Sequence, residues 1–189
     1  MAYTTDSFDD EIVQRLKQGK AGLLPTDTIY GLSTRALDQT AVEYVHKLKR
    51  RDSSKPLIVL ISDVKMLDLL SISVDQAGIA KDYWPGPLSI VFQAPGAPAW
   101  LRASDGSLAV RLPDHHELRV LIDKTGPLVS TSANLQGEQP VGSAKEAKEL
   151  FGHRLDFYVD AGELDNPPST LAVIENGELV VIRQGALKI

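Results

Sequence analysis

Four polar clusters carry the chemistry open to this chain. The stretch Pro25-Thr26-Asp27-Thr28-Ile29-Tyr30-Gly31-Leu32 puts two hydroxyls, a carboxylate and a phenol within five residues. Lys49, Arg50, Arg51 and Lys55 form a cationic set. Ser107 and Arg111 bracket the apolar run Leu108-Ala109-Val110, and Ser130-Thr131-Ser132 with Asn134 follows a later one. Ser169-Thr170 and Arg183 make the fourth. Hydroxyl donors and guanidinium forks are the groups that hold carboxylates and phosphates. Arg111 is the most telling. Its apolar neighbours imply burial, and a buried guanidinium needs an anionic partner. A structural ion pair would satisfy that need as well as a ligand. The other clusters also have plain structural roles: cations complement a helix C-terminus, and Thr and Asp satisfy their own turns. Together the clusters favour a pocket for a small anionic substrate beside a nucleotide.

The composition narrows the chemistry. The chain has no cysteine, which excludes disulfides, thiolate catalysis and Cys-zinc sites. Its four histidines, at 46, 115, 116 and 153, lack zinc-motif spacing, and His115-His116 reads as a helix entry, so no protein-held metal is expected. There is neither a nucleophile elbow nor a Gly-rich Walker loop. Any phosphate would therefore be gripped by side-chain cations and hydroxyls. The net charge of −5 supplies no global field for nucleic acid. Met1-Ala2-Tyr3-Thr4-Thr5-Asp6 has no basic and apolar regions of a signal peptide. No apolar run approaches the roughly 20 residues of a membrane span. A cytoplasmic protein with no membrane partner is the expectation.

These groups must be positioned by alternating strands and helices. Ser7, with Asp10, reads as the cap of a first helix that Gly19 ends. Leu23-Leu24 reads as a strand entering the 25–32 loop, and a helix-like segment follows that loop. Asp38 or Thr40 starts a helix with Ala41, Val42, Val45 and Leu48 on one face. Strands are expected at Leu57 to Ile61, Leu88 to Phe92, Leu108 to Leu112, Leu128-Val129 and Phe157 to Val159. Ser62 and Ser73 read as caps of short helices, His116 to Lys124 as a helix, and Ser143 with Glu146 as a further cap. Ser130 to Asn134 reads as a loop. Asn176-Gly177 between apolar runs marks a hairpin. The fold class is α/β, of the α+β type: a twisted mixed β-sheet flanked by helices, with a concave ligand cavity, as a single domain over 1–189.

With these residues in order, the chain resembles the YrdC/TsaC family of threonylcarbamoyl-AMP synthases. The resemblance runs from Gly22 to Gly185. It rests on the 25–32 loop, with Asp27 where Glu is more usual, and on Lys49-Arg50-Arg51 with Lys55-Pro56-Leu57-Ile58. Trp84-Pro85-Gly86-Pro87-Leu88-Ser89, Leu108-Ala109-Val110-Arg111, Ser130-Thr131-Ser132-Ala133-Asn134, Pro168-Ser169-Thr170 and Arg183-Gln184-Gly185 continue it. The resemblance implies that L-threonine, bicarbonate and ATP are joined as L-threonylcarbamoyladenylate with loss of pyrophosphate, for the t6A base at position 37 of tRNA. It implies ATP contacts from Lys49, Arg51, Lys55, Ser107, Ser132 and Arg183, with Asn134 near the phosphates. Lys49 and Arg51 would be the catalytic cations. Thr28, Arg111, Ser130 and Ser169 would hold threonine, with Arg111 on its carboxylate. Mg2+ would accompany ATP, and t6A transfer proteins and tRNA are implied as partners.

Two positions depart from the family pattern. Leu60 stands where some members carry a histidine near threonine, and Gln136 replaces a commoner serine. The stop at Ile189 resembles the short form of the family. Two rivals remain: a carbamoyl-adenylating enzyme like the YrdC-type domain of HypF, and a non-enzymatic RNA-binding module. Against the latter, the cations are few and clustered, and the aromatic residues that stack single-stranded bases are sparse.

Overall fold

Leu23 and Leu24 are neighbours, both fully buried, and they belong to two different apolar clusters. Side chains alternate across a strand, so that pair marks a sheet covered on both sides. The computed structural model describes residues 2–50 and 57–189. In chain order its elements are β1 (Tyr3–Thr5), α1 (Asp10–Lys17), β2 (Gly22–Leu24), β3 (Gly31–Arg35), α2 (Gln39–Leu48) and β4 (Ile58–Leu60). Two 3-10 segments, Val64–Leu70 and Val74–Asp82, precede β5 (Leu88–Gln93) and β6 (Ser107–Arg111). Then come α3 (His116–Thr125), β7 (Leu128–Ser132), α4 (Ala144–Phe151), β8 (Phe157–Val159), β9 (Thr170–Glu175) and β10 (Glu178–Arg183).

Among the described residues these strands form one sheet, in the order β1-β8-β2-β3-β7-β4-β6-β5-β9-β10. Parallel pairs (β4 with β6, β5 with β9) alternate with antiparallel ones (β4 with β7, β5 with β6), so the sheet is mixed, as the alternating pattern predicts. On one face α1 and α3 pack Ile12, Val13, Leu16, Leu118, Leu121 and Ile122 onto Leu24, Leu60, Leu128, Phe157 and Val159. The opposite face carries the larger cluster, in which Leu23, Val59, Val110 and Val129 meet Val42 and Val45 of α2 and Ala147 and Phe151 of α4.

Local chemistry explains most element ends. Asp38 caps α2 by accepting from Ala41 N at 3.1 Å, and Ser143 caps α4 by accepting from Glu146 N at 3.2 Å. Asn176 and Gly177 both take positive φ, 52° and 81°, which suits a tight hairpin between β9 and β10. His115 caps α3 through Leu118 N at 3.4 Å, so the His115-His116 pair is a helix entry.

The structure corrects several expectations. Asp9, not Ser7, caps α1: its Oδ1 accepts from Ile12 N at 3.0 Å while Tyr3 donates to Oδ2 at 2.6 Å. Tyr3 reaches it because β1 pairs with β8, a contact no local pattern reveals. Asp63, not Ser62, caps the Val64–Leu70 segment, since Ser62 is drawn to Asp123 at 2.5 Å. Where a helix-like segment is expected after the 25–32 loop, the chain instead continues strand β3, held on both sides by β2 and β7. Ser130 to Ser132 is not a loop but the end of β7, for the same reason.

Candidate functional site

Among the described residues the cladding of the sheet is incomplete. Leu60 lies under α1 and α3, but the next positions on the same face, Ile58, Ala109 and Val91, pair in register and line an open cavity. This cavity has a volume of about 630 Å³, a size that suits a small-molecule ligand. Gly31 is among the lining residues. A methyl group on Gly31 would lie 2.2 Å from Ser130 Oγ, so glycine there lets the Ser130 hydroxyl approach the backbone of β3.

One end of the cavity is built on Arg111. It is 4% exposed, and its guanidinium pairs with Asp27, whose side chain is 7% exposed. Nη1 and Nη2 each lie 3.2 Å from Thr28 Oγ1, and Nη2 is 3.5 Å from Thr26 Oγ1. Asp27 is itself tied down, because Oδ2 accepts from Asp114 N at 3.1 Å. The 25–30 loop therefore reaches across to the exit of β6 and frames the arginine. Burial pulls the Arg111 pKa down from its ordinary value, and the charge of Asp27 and its hydrogen bond push back. Arg111 Nε is buried with no hydrogen-bond partner. A buried donor in that state is a cost that an acceptor oxygen brought within reach would relieve. Thr28, Ser130 and Ser169 line the cavity with it. Ser169 Oγ shares a hydrogen bond with Ser89 Oγ at 2.8 Å.

A second group gathers around Lys49, the residue that ends α2. This lysine is 3% exposed. Its Nζ donates to Ser132 O at 2.5 Å, Ser132 Oγ at 3.2 Å and Asn134 Oδ1 at 2.7 Å. Asn134 Oδ1 also accepts from Ser132 Oγ at 2.6 Å, and its amide donates to Glu138 O at 2.6 Å. The acceptors in these three contacts are a main-chain carbonyl, a hydroxyl and a side-chain amide, and they fix the position of the ammonium group. A positioned cation beside hydroxyl and amide groups is suited to phosphate.

The third group lies at the start of β6 and the end of β10. Ser107 donates both its N–H and its hydroxyl to Asp105 Oδ1, at 2.9 and 2.6 Å. Arg183 donates to Ser169 O at 2.8 Å, and partial burial lowers its pKa. A Cβ at Gly185 would fall 2.2 Å from Pro168 O, so that close crossing requires glycine and keeps Ser169 and Arg183 together.

Thr28, Ser107, Arg111, Ser130, Ser132, Asn134, Ser169 and Arg183 are thus brought to one cavity, and Lys49 touches two of them. Arg51 and Lys55 lie outside the described residues. Leu60 lines the cavity and belongs to the α1/α3 cluster, so its place is an apolar wall. Gln136 is fastened through its backbone N–H to Lys49 O at 3.2 Å, a contact indifferent to its side chain. The Tyr30 phenol does not serve the polar cluster: it donates to Gly162 O and accepts from Ala161 N, both at 2.8 Å, and pins the loop after β8. Reading by residue type misses Asp105 and Ser89. Asp105-Gly106-Ser107 carries an Asx-turn signal that points to Asp105, whereas Ser89 is a lone hydroxyl in an apolar strand and carries none. Among the described residues no group of three or more acidic or histidine side chains could hold a metal, and no helix is long and apolar enough to cross a membrane.

A profile of the family described as Sua5/YciO/YrdC, telomere recombination, matches residues 14–185. Threonylcarbamoyl-AMP synthase of Pseudoalteromonas translucida is 35% identical over 171 residues, 87% of this chain and 91% of that protein. The enzyme of the same name from Coxiella burnetii is 33% identical over 156 residues, 80% of this chain and 83% of that one. The solved structure of Pyrococcus abyssi Sua5 complexed with L-threonine superposes with a TM-score of 0.87 at 28% identity. The match covers 98% of this chain but 57% of that one, so the chain spans little more than half of the Pyrococcus protein. Full-length HypF in a phosphate- and nucleotide-bound form superposes at 0.80 with 23% identity, over 93% of this chain and 28% of that one, which shows a shared fold.

Proposed function

The chain belongs to the Sua5/YciO/YrdC family, and from that premise we propose that it is a threonylcarbamoyl-AMP synthase, a nucleotidyltransferase. It joins L-threonine, bicarbonate and ATP into L-threonylcarbamoyladenylate, releasing pyrophosphate and water. The product supplies the threonylcarbamoyl group of t6A at position 37 of tRNA, through transfer proteins in the cytoplasm.

One observation carries the reading. Ser130 of the Arg111 group and Ser132 of the Lys49 group stand two residues apart on one face of β7. That spacing is about 7 Å, room for one carbamate between an amino acid and a phosphate. Arg111, Thr28 and Ser130 hold threonine by its carboxylate and hydroxyl, with Ser169 closing that end. Threonine's amine nitrogen bonds to the carbon of bicarbonate, and water leaves. A carbamate oxygen then attacks the α-phosphorus, and the bond to pyrophosphate breaks. No protein nucleophile is needed. The protein aligns two anions and neutralises the charge that builds up in transfer. Lys49, Ser132, Asn134 and Arg183 serve the nucleotide, together with Arg51 and Lys55 by family resemblance. Magnesium would accompany ATP and offset the charge of its phosphates; among the described residues that line the cavity the acidic ones are Asp105 and Glu138.

The test is pyrophosphate release from ATP. It should require threonine and bicarbonate together. Release without bicarbonate, or equal turnover with serine, would count against the assignment. Release that requires carbamoyl phosphate instead would support the HypF-like alternative. Tight, salt-sensitive tRNA binding with no adenylate formed would support the RNA-binding one.

A further inference from the structure

The Asp105–Ser107 pair sits at the start of β6, four residues from Arg111 at the other end of the same strand. Both residues line the cavity. The Ser107 hydroxyl and then its backbone N–H hold the Asp105 carboxyl below its ordinary value, so it is ionised at neutral pH. An ionised carboxylate has no hydrogen to donate. The hydrogen in the 2.6 Å contact between Ser107 Oγ and Asp105 Oδ1 is therefore the serine's own. That leaves Ser107 Oγ with lone pairs alone to offer a ligand, next to a full negative charge.

Such a pair repels phosphate and calls for a ligand portion that donates. On the neighbouring strands the cavity wall is aliphatic, with Val91, Leu171 and Ile182, the last 57% exposed. An aliphatic surface suits the flat face of a base, not its polar edge. The donors left to meet Asp105 and Ser107 are the hydroxyls of the sugar. Carboxylates recognise ribose hydroxyls in other nucleotide sites by the same chemistry.

We propose that Asp105, with the Ser107 hydroxyl it orients, reads the ribose hydroxyls of the bound nucleotide. The nucleotide then lies with its sugar at the start of β6, its base on the aliphatic wall, and its phosphates toward Lys49, Ser132 and Asn134. This rests on the nucleotide assigned to the site above, and it makes Ser107 an acceptor from the sugar, not a phosphate ligand.

Equilibrium binding of ATP, 2′-deoxy-ATP, 3′-deoxy-ATP and inosine triphosphate to the full chain tests it. A hydrogen bond to a charged group predicts that at least one deoxy analogue binds about tenfold more weakly than ATP. Inosine triphosphate should bind like ATP. In Asp105→Ala the deoxy penalty should vanish, and threonine binding should not move. Equal binding of ATP and both deoxy analogues by the wild-type chain would overturn the proposal whether or not the variant folds. So would a penalty that survives Asp105→Ala, or one that follows inosine instead. Ribose discrimination without threonine-dependent pyrophosphate release would keep this assignment and sink the synthase reading. No binding of ATP at all would sink both.

Discussion

Among the described residues that line the cavity, Arg111 is the one buried charge. Its anionic partner is Asp27, and the pair is nearly sealed from water. Removing one member of such a pair leaves a buried charge and costs about 3–5 kcal/mol, so alanine would confound folding with binding. Arg111→Lys keeps the charge and loses the planar fork. It should weaken threonine about tenfold or more while ATP affinity changes little, as measured by calorimetry. Equal losses for both ligands would make the arginine structural. The need of Arg111 for an anion was legible from its apolar neighbours. That the partner is Asp27 was not, because the two are 84 positions apart and the loop that joins them folds over the sheet. The role of Asp105 was hidden differently. It lies in the residue type that fixes a hydroxyl's hydrogen, and that can be read once the 2.6 Å contact is known.

At the scale of elements, strands that form hairpins or run apolar were readable, while strands that exist by distant pairing were not. The β9–β10 hairpin announced itself through Asn176-Gly177, and β6 through its apolar run. By contrast β3 and the serine half of β7 support each other, Gly31 against Ser132 and Ser33 against Ser130, and neither has a strong local signal. This matters to the site, since β7 sets the spacing of Ser130 and Ser132. The cap of α1 offers a clean test of element stability. Burial alone would raise the Asp9 carboxyl, but the hydrogen bonds from Tyr3 and Ile12 outweigh it and hold the group below its ordinary value. A lowered folded-state value stabilises above the unfolded one and is lost as pH falls through it. Asp9→Ala should therefore lower stability to denaturant by about 1 kcal/mol at neutral pH. The gap between the two proteins should close as pH drops below about 4. A gap constant across that range would remove the carboxylate from the explanation.

At the scale of the whole molecule, α1 and α3 cover one part of a sheet face, and among the described residues another part of it lines a cavity. The mixed sheet flanked by helices was legible from alternating strand and helix patterns. The uneven cladding was not, because it depends on which strands lie beneath two helices. That asymmetry is what lets Arg111, Ser132 and Arg183, on different elements, line a single space. The central claim is that an amino acid and a nucleotide are held there together and react without bonding to the polypeptide. Mass spectrometry of a mixture of the protein, threonine, bicarbonate and ATP, reading both small molecules and intact protein, tests it most directly. The account predicts free threonylcarbamoyl-AMP, formed when all three substrates are present, with the protein mass unchanged. A covalent adenylyl or carbamoyl adduct on the chain, or consumption of ATP with no such adenylate, would contradict it.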